Sequence, residues 1–111
     1  MDIHILTLFP EMFRGPFQES IVARAIEHEV VSIHIHNIRD YSQDKHRMVD
    51  DYPFGGGGGM VLKPEPLFLA VEDVKSRIKD ENGPQRAEET TVILLSPQGE
   101  VLIQEAVTEL T

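Results

Sequence analysis

The chain has 111 residues, 41% hydrophobic and 26% charged, which suffices for one domain with a core and excludes disorder throughout. It has no cysteine, which excludes disulfides and thiolate metal sites and fits a reducing, cytoplasmic compartment, and no apolar run approaches the roughly 18 residues of a membrane span. A net charge of −9 speaks against sequence-independent wrapping of nucleic acid, because that affinity comes from neutralised phosphates.

Residues 2–8 (DIHILTL) are β-branched and leucine-rich with partial alternation, which predicts a strand. Pro10 ends it and suits the first turn of a short helix. Residues 18–29 then place Ile21, Val22, Ala25 and Ile26 on one face of an amphipathic helix. Residues 31–38 alternate, with Val31, Ile33 and Ile35 on one face and Ser32, His34 and His36 on the other, the pattern of a second strand. Strand, helix, strand is a βαβ unit, and such units build parallel sheets.

Further along, residues 65–79 carry Leu67, Phe68, Val71, Val74 and Ile78 at helical spacing, with Pro64 and Pro66 marking the start. Residues 80–90 are polar and contain Asn82, Gly83 and Pro84, which predicts an exposed loop. The continuous apolar run 91–95 (TVILL) predicts a strand buried on both faces. A sharp turn follows at Ser96, Pro97, Gln98 and Gly99, and residues 101–110 read as a helix with Leu102, Ala106, Val107 and Leu110 on one side. Three strands and three or four helices make only part of an α/β sheet. The expectation is a partial parallel sheet whose open edge invites pairing with further chain.

The glycine run Gly55, Gly56, Gly57, Gly58 and Gly59 is the densest functional signal. Glycine loses the most entropy on folding and packs nothing, so a core has no use for five in succession. Tethers mix glycine with serine among polar residues. Here Tyr52, Pro53 and Phe54 stand on one side and Met60, Val61 and Leu62 on the other, which favours a loop held close to a ligand over a linker. Just before it stand Arg39, Lys45, His46 and Arg47, a basic cluster suited to a phosphate or RNA backbone, or else a solvated turn balanced by Asp40, Asp44, Asp50 and Asp51. The run is no P-loop, since no Gly-Lys-Ser/Thr opens a helix, and no dinucleotide fingerprint, since the first strand runs into Phe9 and Pro10. His34 and His36 lack an acidic third ligand on their strand face, so they read as an exposed polar face; His4 and His28 read as surface or half-buried histidines, and no metal site is expected. At the end of the apolar run, Leu94 to Gly99 lies where open α/β sheets bind ligands, although spacing alone favours a plain strand-to-helix turn.

Taken in order, the segments 6–13 (LTLFPEMF), 38–41 (IRDY), 44–47 (DKHR), 49–61 (VDDYPFGGGGGMV), 63–66 (KPEP) and 95–99 (LSPQG) resemble the bacterial tRNA (guanine-N1)-methyltransferases. The resemblance runs from Asp2 to about Leu110. Gly58 stands where that family often has alanine or proline, and the stretch after Gly99 lacks a basic residue often seen there.

The resemblance implies a SPOUT-type α/β domain with a trefoil knot, an obligate homodimer, and S-adenosylmethionine as methyl donor. The implied substrate is tRNA, methylated on N1 of the guanine immediately 3′ of the anticodon. It implies that Leu94, Leu95, Ser96, Pro97, Gln98 and Gly99 form one wall of the donor pocket. The glycine loop, with His46, Arg47 and Asp50, is then directed at the target base and its tRNA. It further implies that residues 1–111 are the N-terminal part of the catalytic domain. On that reading the general base, the rest of the knot and the tRNA-binding domain lie beyond Thr111, and the isolated chain is inactive. The rival readings are a small non-catalytic α/β module that binds phosphate or RNA backbone, and an interaction protein that completes its sheet with a partner.

Overall fold

Side chains alternating at Ile3, His4, Ile5 and Leu6, and again at Ile33, His34, Ile35 and His36, give two strands with opposite faces of different chemistry. In the computed structural model, which describes residues 1–43, 45–46, 50–51 and 61–111, these are β1 (Asp2–Thr7) and β2 (Ser32–Asn37). They pair in parallel, with Asp2 opposite Ser32, His4 opposite His34 and Thr7 opposite Asn37. The register sets isoleucine against isoleucine on one face and His4 beside His34 on the other. The expected parallel sheet is therefore present, built from the first two of its three expected strands.

The connection between them is mostly helical. Thr7 Oγ1 accepts from the Phe9 amide at 3.1 Å and ends β1. A 3-10 turn (Pro10–Phe13), α1 (Arg14–Phe17) and α2 (Ser20–Glu27) follow. Val22 and Ala25 of α2 are half-buried, while Ile21 and Ile26 of the expected apolar face are exposed. The helix ends in a Schellman motif: the Val30 amide donates to the Ala25 carbonyl and the Glu29 amide to that of Ile26. That motif needs a left-handed residue, and Glu29 supplies it at φ 57°.

After β2, Asn37 Oδ1 accepts from the Arg39 amide at 3.0 Å and starts a 3-10 turn (Ile38–Tyr41). Two short strands, β3 (Asp50–Asp51) and β4 (Val61–Leu62), form an antiparallel ladder. Helix α3 (Pro64–Asn82) begins with proline at its first position, where the missing N–H costs nothing. It packs on β1 and on the turn that holds Ile38. The core lies there: Ile38, Val74 and Ile78 are buried, Ala70 is fully so, and Pro66 joins them. Pro66, Ala70, Val74 and Ile78 form a single i+4 row, and the small Ala70 at its centre admits the closest approach. Of the apolar face expected from sequence, Val74 and Ile78 belong to this row, whereas Phe68 points outward and is 68% exposed.

Two expectations are corrected. Residues 80–90 are helical apart from Gly83 and Thr90: α3 continues to Asn82 and α4 (Pro84–Glu89) begins two residues later. Gly83, at φ 89°, breaks one helix, and Pro84 starts the next with its preset φ. The glycine–proline pair is thus punctuation between helices. The run 91–95 is not a strand. Val92, Ile93, Leu94 and Leu95 are 57–91% exposed, and no backbone ladder reaches them among the described residues. A two-face-buried strand requires neighbours on both edges and cover on both faces, and nothing described supplies either. The last helix is also shorter than expected, α5 (Gln104–Leu110), with Val101, Leu102 and Ile103 exposed before it.

The chain as a whole exposes more surface than a compact monomer. The accessible surface is 9210 Å² for 12.5 kDa, against about 6200 Å² for a compact monomer of that mass. The radius of gyration is 16.2 Å, where a compact chain of this length has about 13 Å.

Candidate functional site

The ladder of β3 and β4 brings the two ends of the glycine segment together, with Asp51 opposite Val61 and Asp50 opposite Leu62. The glycines Gly55, Gly56, Gly57, Gly58 and Gly59, and Arg47 before them, lie outside the described residues. Of the remaining loop candidates, Asp50 sits in β3 and His46 is exposed in a turn.

The incoming and outgoing chains meet a second time, further from the glycines. Tyr41, the last residue of the 3-10 turn after β2, donates its hydroxyl proton to Asp73 Oδ2 on α3 at 2.5 Å. Arg77, one helical turn on, reaches the same oxygen at 2.9 Å. The Tyr41 hydrogen bond, with Arg77 adding to it, holds the Asp73 carboxyl below its usual range. Burial, and then the same bond, raise the Tyr41 phenol. Beside this bridge a cavity of about 350 Å³ opens at the carboxyl end of β2, lined by Ile35, His36, Asn37, Asp40, Tyr41 and Arg77. Its place agrees with the rule that open parallel sheets bind ligands outside the carboxyl ends of their strands. The sequence reading passed over Asp73 and Arg77; their i,i+4 spacing on a helix was the available signal.

On the same sheet face the histidines stack. His4 lies 4.6 Å from His34 and 5.2 Å from His36 by ring centroids, and His4 Nδ1 stands 3.0 Å from His36 Nε2. At that distance one nitrogen must carry the proton and the other accept it. Burial, and then a neighbouring histidine, lower both His4 and His36. His34 is exposed, as expected of a polar strand face, whereas His36 and the neighbouring His4 are half-buried; no group of three or more metal-ligating side chains occurs among the described residues.

The second candidate segment is a tight turn. The Gly99 amide donates to the Ser96 carbonyl at 3.0 Å, and the Gln98 amide to Ser96 Oγ at 3.2 Å. A Cβ on Gly99 would stand 3.3 Å from that carbonyl, tighter than ordinary contact. Pro97 fits the second position of such a turn. Leu94 and Leu95 precede it, 77% and 91% exposed. An exposed leucine pair thus stands beside backbone held by the turn's own hydrogen bonds. No carboxylate stands within the turn itself to serve as a base.

Comparisons with known proteins agree along the whole chain. A family model described as tRNA (Guanine-1)-methyltransferase TrmD matches residues 1–111. Curated tRNA (guanine-N(1)-)-methyltransferases from Dehalococcoides mccartyi and Oceanobacillus iheyensis are 54% and 52% identical over 110 residues. Those alignments take in 99% of this chain but 41% and 42% of the relatives, so the chain spans about two fifths of their length. The crystal structure of the tRNA (m1G37) methyltransferase from Aquifex aeolicus superposes with a TM-score of 0.78 at 32% identity, covering 99% of this chain and 45% of that one.

Proposed function

This chain belongs to the tRNA (guanine-1)-methyltransferase family, and we propose that it supplies one wall of the donor pocket and the substrate loop of a SPOUT-type enzyme. The reaction is methylation of N1 of the guanine immediately 3′ of the anticodon in tRNA. The observation that carries the reading is the match of all 111 residues to the family, in order and through the long glycine motif.

The turn from Leu94 to Gly99 would hold the adenosine part of S-adenosylmethionine, its leucines offering apolar cover and its backbone groups polar partners, a fit supported by the closed Ser96–Gly99 hydrogen bond. When bound, the donor supplies an electrophilic methyl group on a sulfonium. Guanine N1 carries a proton and is a weak nucleophile, so a carboxylate must take that proton as N1 is methylated. That base lies outside residues 1–111. Within the chain, residues 55–59 let backbone approach the guanine closely, Asp50 stands at the loop's foot, and His46 and Arg47 meet the tRNA. The exposed apolar run 92–95 is covered by the remainder of the knotted domain, and the whole protein works as a cytoplasmic homodimer.

The test joins residues 1–111 to the downstream part of the Dehalococcoides mccartyi relative and measures single-turnover methyl transfer to transcripts with guanine or adenine 3′ of the anticodon. Transfer to the guanine transcript alone, absent from the unjoined chain, is the expected result. A folded joined protein without transfer would overturn the reading. In the active protein Gly57→Val should slow transfer more than about tenfold, roughly 1.4 kcal/mol, with little change in melting temperature.

A further inference from the structure

The glycine segment is closed at its foot by a ladder of only two residues per strand. A two-stranded ribbon this short is marginal on its own. A ladder this short gains from closure outside it, and among the described residues the chain makes a second closure around it. Thirty-two residues separate Tyr41 from Asp73, and the ladder is nested inside that span. On the incoming side Tyr41 belongs to the turn that buries Ile38. On the outgoing side Asp73 stands one position before Val74 of the buried helix row. Both partners are therefore fixed by the core, and α3 starts two residues after β4. A closure made by rigid neighbours shortens the free chain on each side of the ladder and lowers the entropy lost in forming it.

We propose that the Tyr41–Asp73 hydrogen bond, with Arg77 on the same carboxylate oxygen, is the brace that holds the glycine segment's foot closed, making Tyr41 and Asp73 positioning residues for that loop. The lowered Asp73 carboxyl and raised Tyr41 phenol agree with a bond that persists at neutral pH. The positioning role rests on the proposed reading of the loop as the substrate loop; the closure itself does not.

Amide hydrogen exchange on the 111-residue chain tests the closure. Tyr41→Phe removes only the hydroxyl and should speed exchange at residues 50–51 and 61–62 at least tenfold. Amides of β1 and β2 should keep their protection. Asp73→Asn keeps an acceptor for Tyr41 and should preserve most of the ladder protection that Asp73→Ala loses. Unchanged ladder exchange in both Tyr41→Phe and Asp73→Ala overturns the proposal, as does equal acceleration in β1, β2 and the ladder. In the joined protein, Tyr41→Phe should slow methyl transfer at least tenfold with Asp73→Asn closer to the parent, and an unaltered rate in Tyr41→Phe overturns the positioning role. An inactive parent would strike the methyltransferase reading while the exchange result still decides the brace.

Discussion

Two apolar stretches of this chain have opposite fates. The row Pro66, Ala70, Val74 and Ile78 on α3 is buried against Ile38 and the first strand, whereas Val92, Ile93, Leu94 and Leu95 are mostly in solvent. By hydrophobicity the second stretch is the richer. What separates them is partners: the helix satisfies its own backbone hydrogen bonds and needs cover on one side only, while a central parallel strand needs ladders at both edges and cover on both faces. Apolar content thus measures what a segment can bury, and the neighbours decide whether it does.

The sharpest way to break that comparison is a charge in each stretch. Val74→Asp buries a carboxylate with no partner and should cost more than about 3 kcal/mol, enough to abolish the cooperative urea transition followed by far-UV circular dichroism. A smaller and opposite effect is expected at the end of α2. Glu29 holds a left-handed conformation that glycine adopts freely, so Glu29→Gly should stabilise by about 1 kcal/mol and raise the melting temperature.

Acid should act on the buried side alone. His4 and His36 have lowered values when folded, so above the ordinary histidine value of about 6.5 neither state is charged and they leave stability unchanged. As pH falls through that value the unfolded chain takes up protons that the folded chain resists, and stability drops until the folded values are passed. Melting temperature should therefore fall between pH 7.5 and 5.5, and the slope should flatten in a His4→Gln, His36→Gln double variant. The smallest effect belongs to the exposed stretch: Leu95→Asp should change the urea midpoint by no more than about 0.5 kcal/mol equivalent. A loss as large as that of Val74→Asp would mean that the stretch is buried in solution after all.

Much of the local structure was legible because its signals are local. The alternation of residues 31–38, the helical spacing that includes Val74 and Ile78, and the turn chemistry of Ser96, Pro97 and Gly99 each report on a few neighbouring residues, and each was found. Asn82, Gly83 and Pro84 misled for a related reason: the same residues that open a loop also end one helix and begin the next, and the distinction lies in backbone angles. Asp73 and Arg77 share a helical spacing, but no local signal joined them to Tyr41, because that bond forms between residues 32 apart.

The sequence alone determined the βαβ beginning, the family and the turn at residues 96–99, since periodicity, turn residues and motif order are properties of the chain itself. Tertiary structure decided which helix face is buried, that the apolar run 91–95 stays unpaired, and that the ends of the glycine segment are closed twice. The physical reason is the same in all three cases. Burial, ladder pairing and a hydroxyl-to-carboxylate bond each need a partner from elsewhere in the chain, and only the folded arrangement says whether that partner arrives.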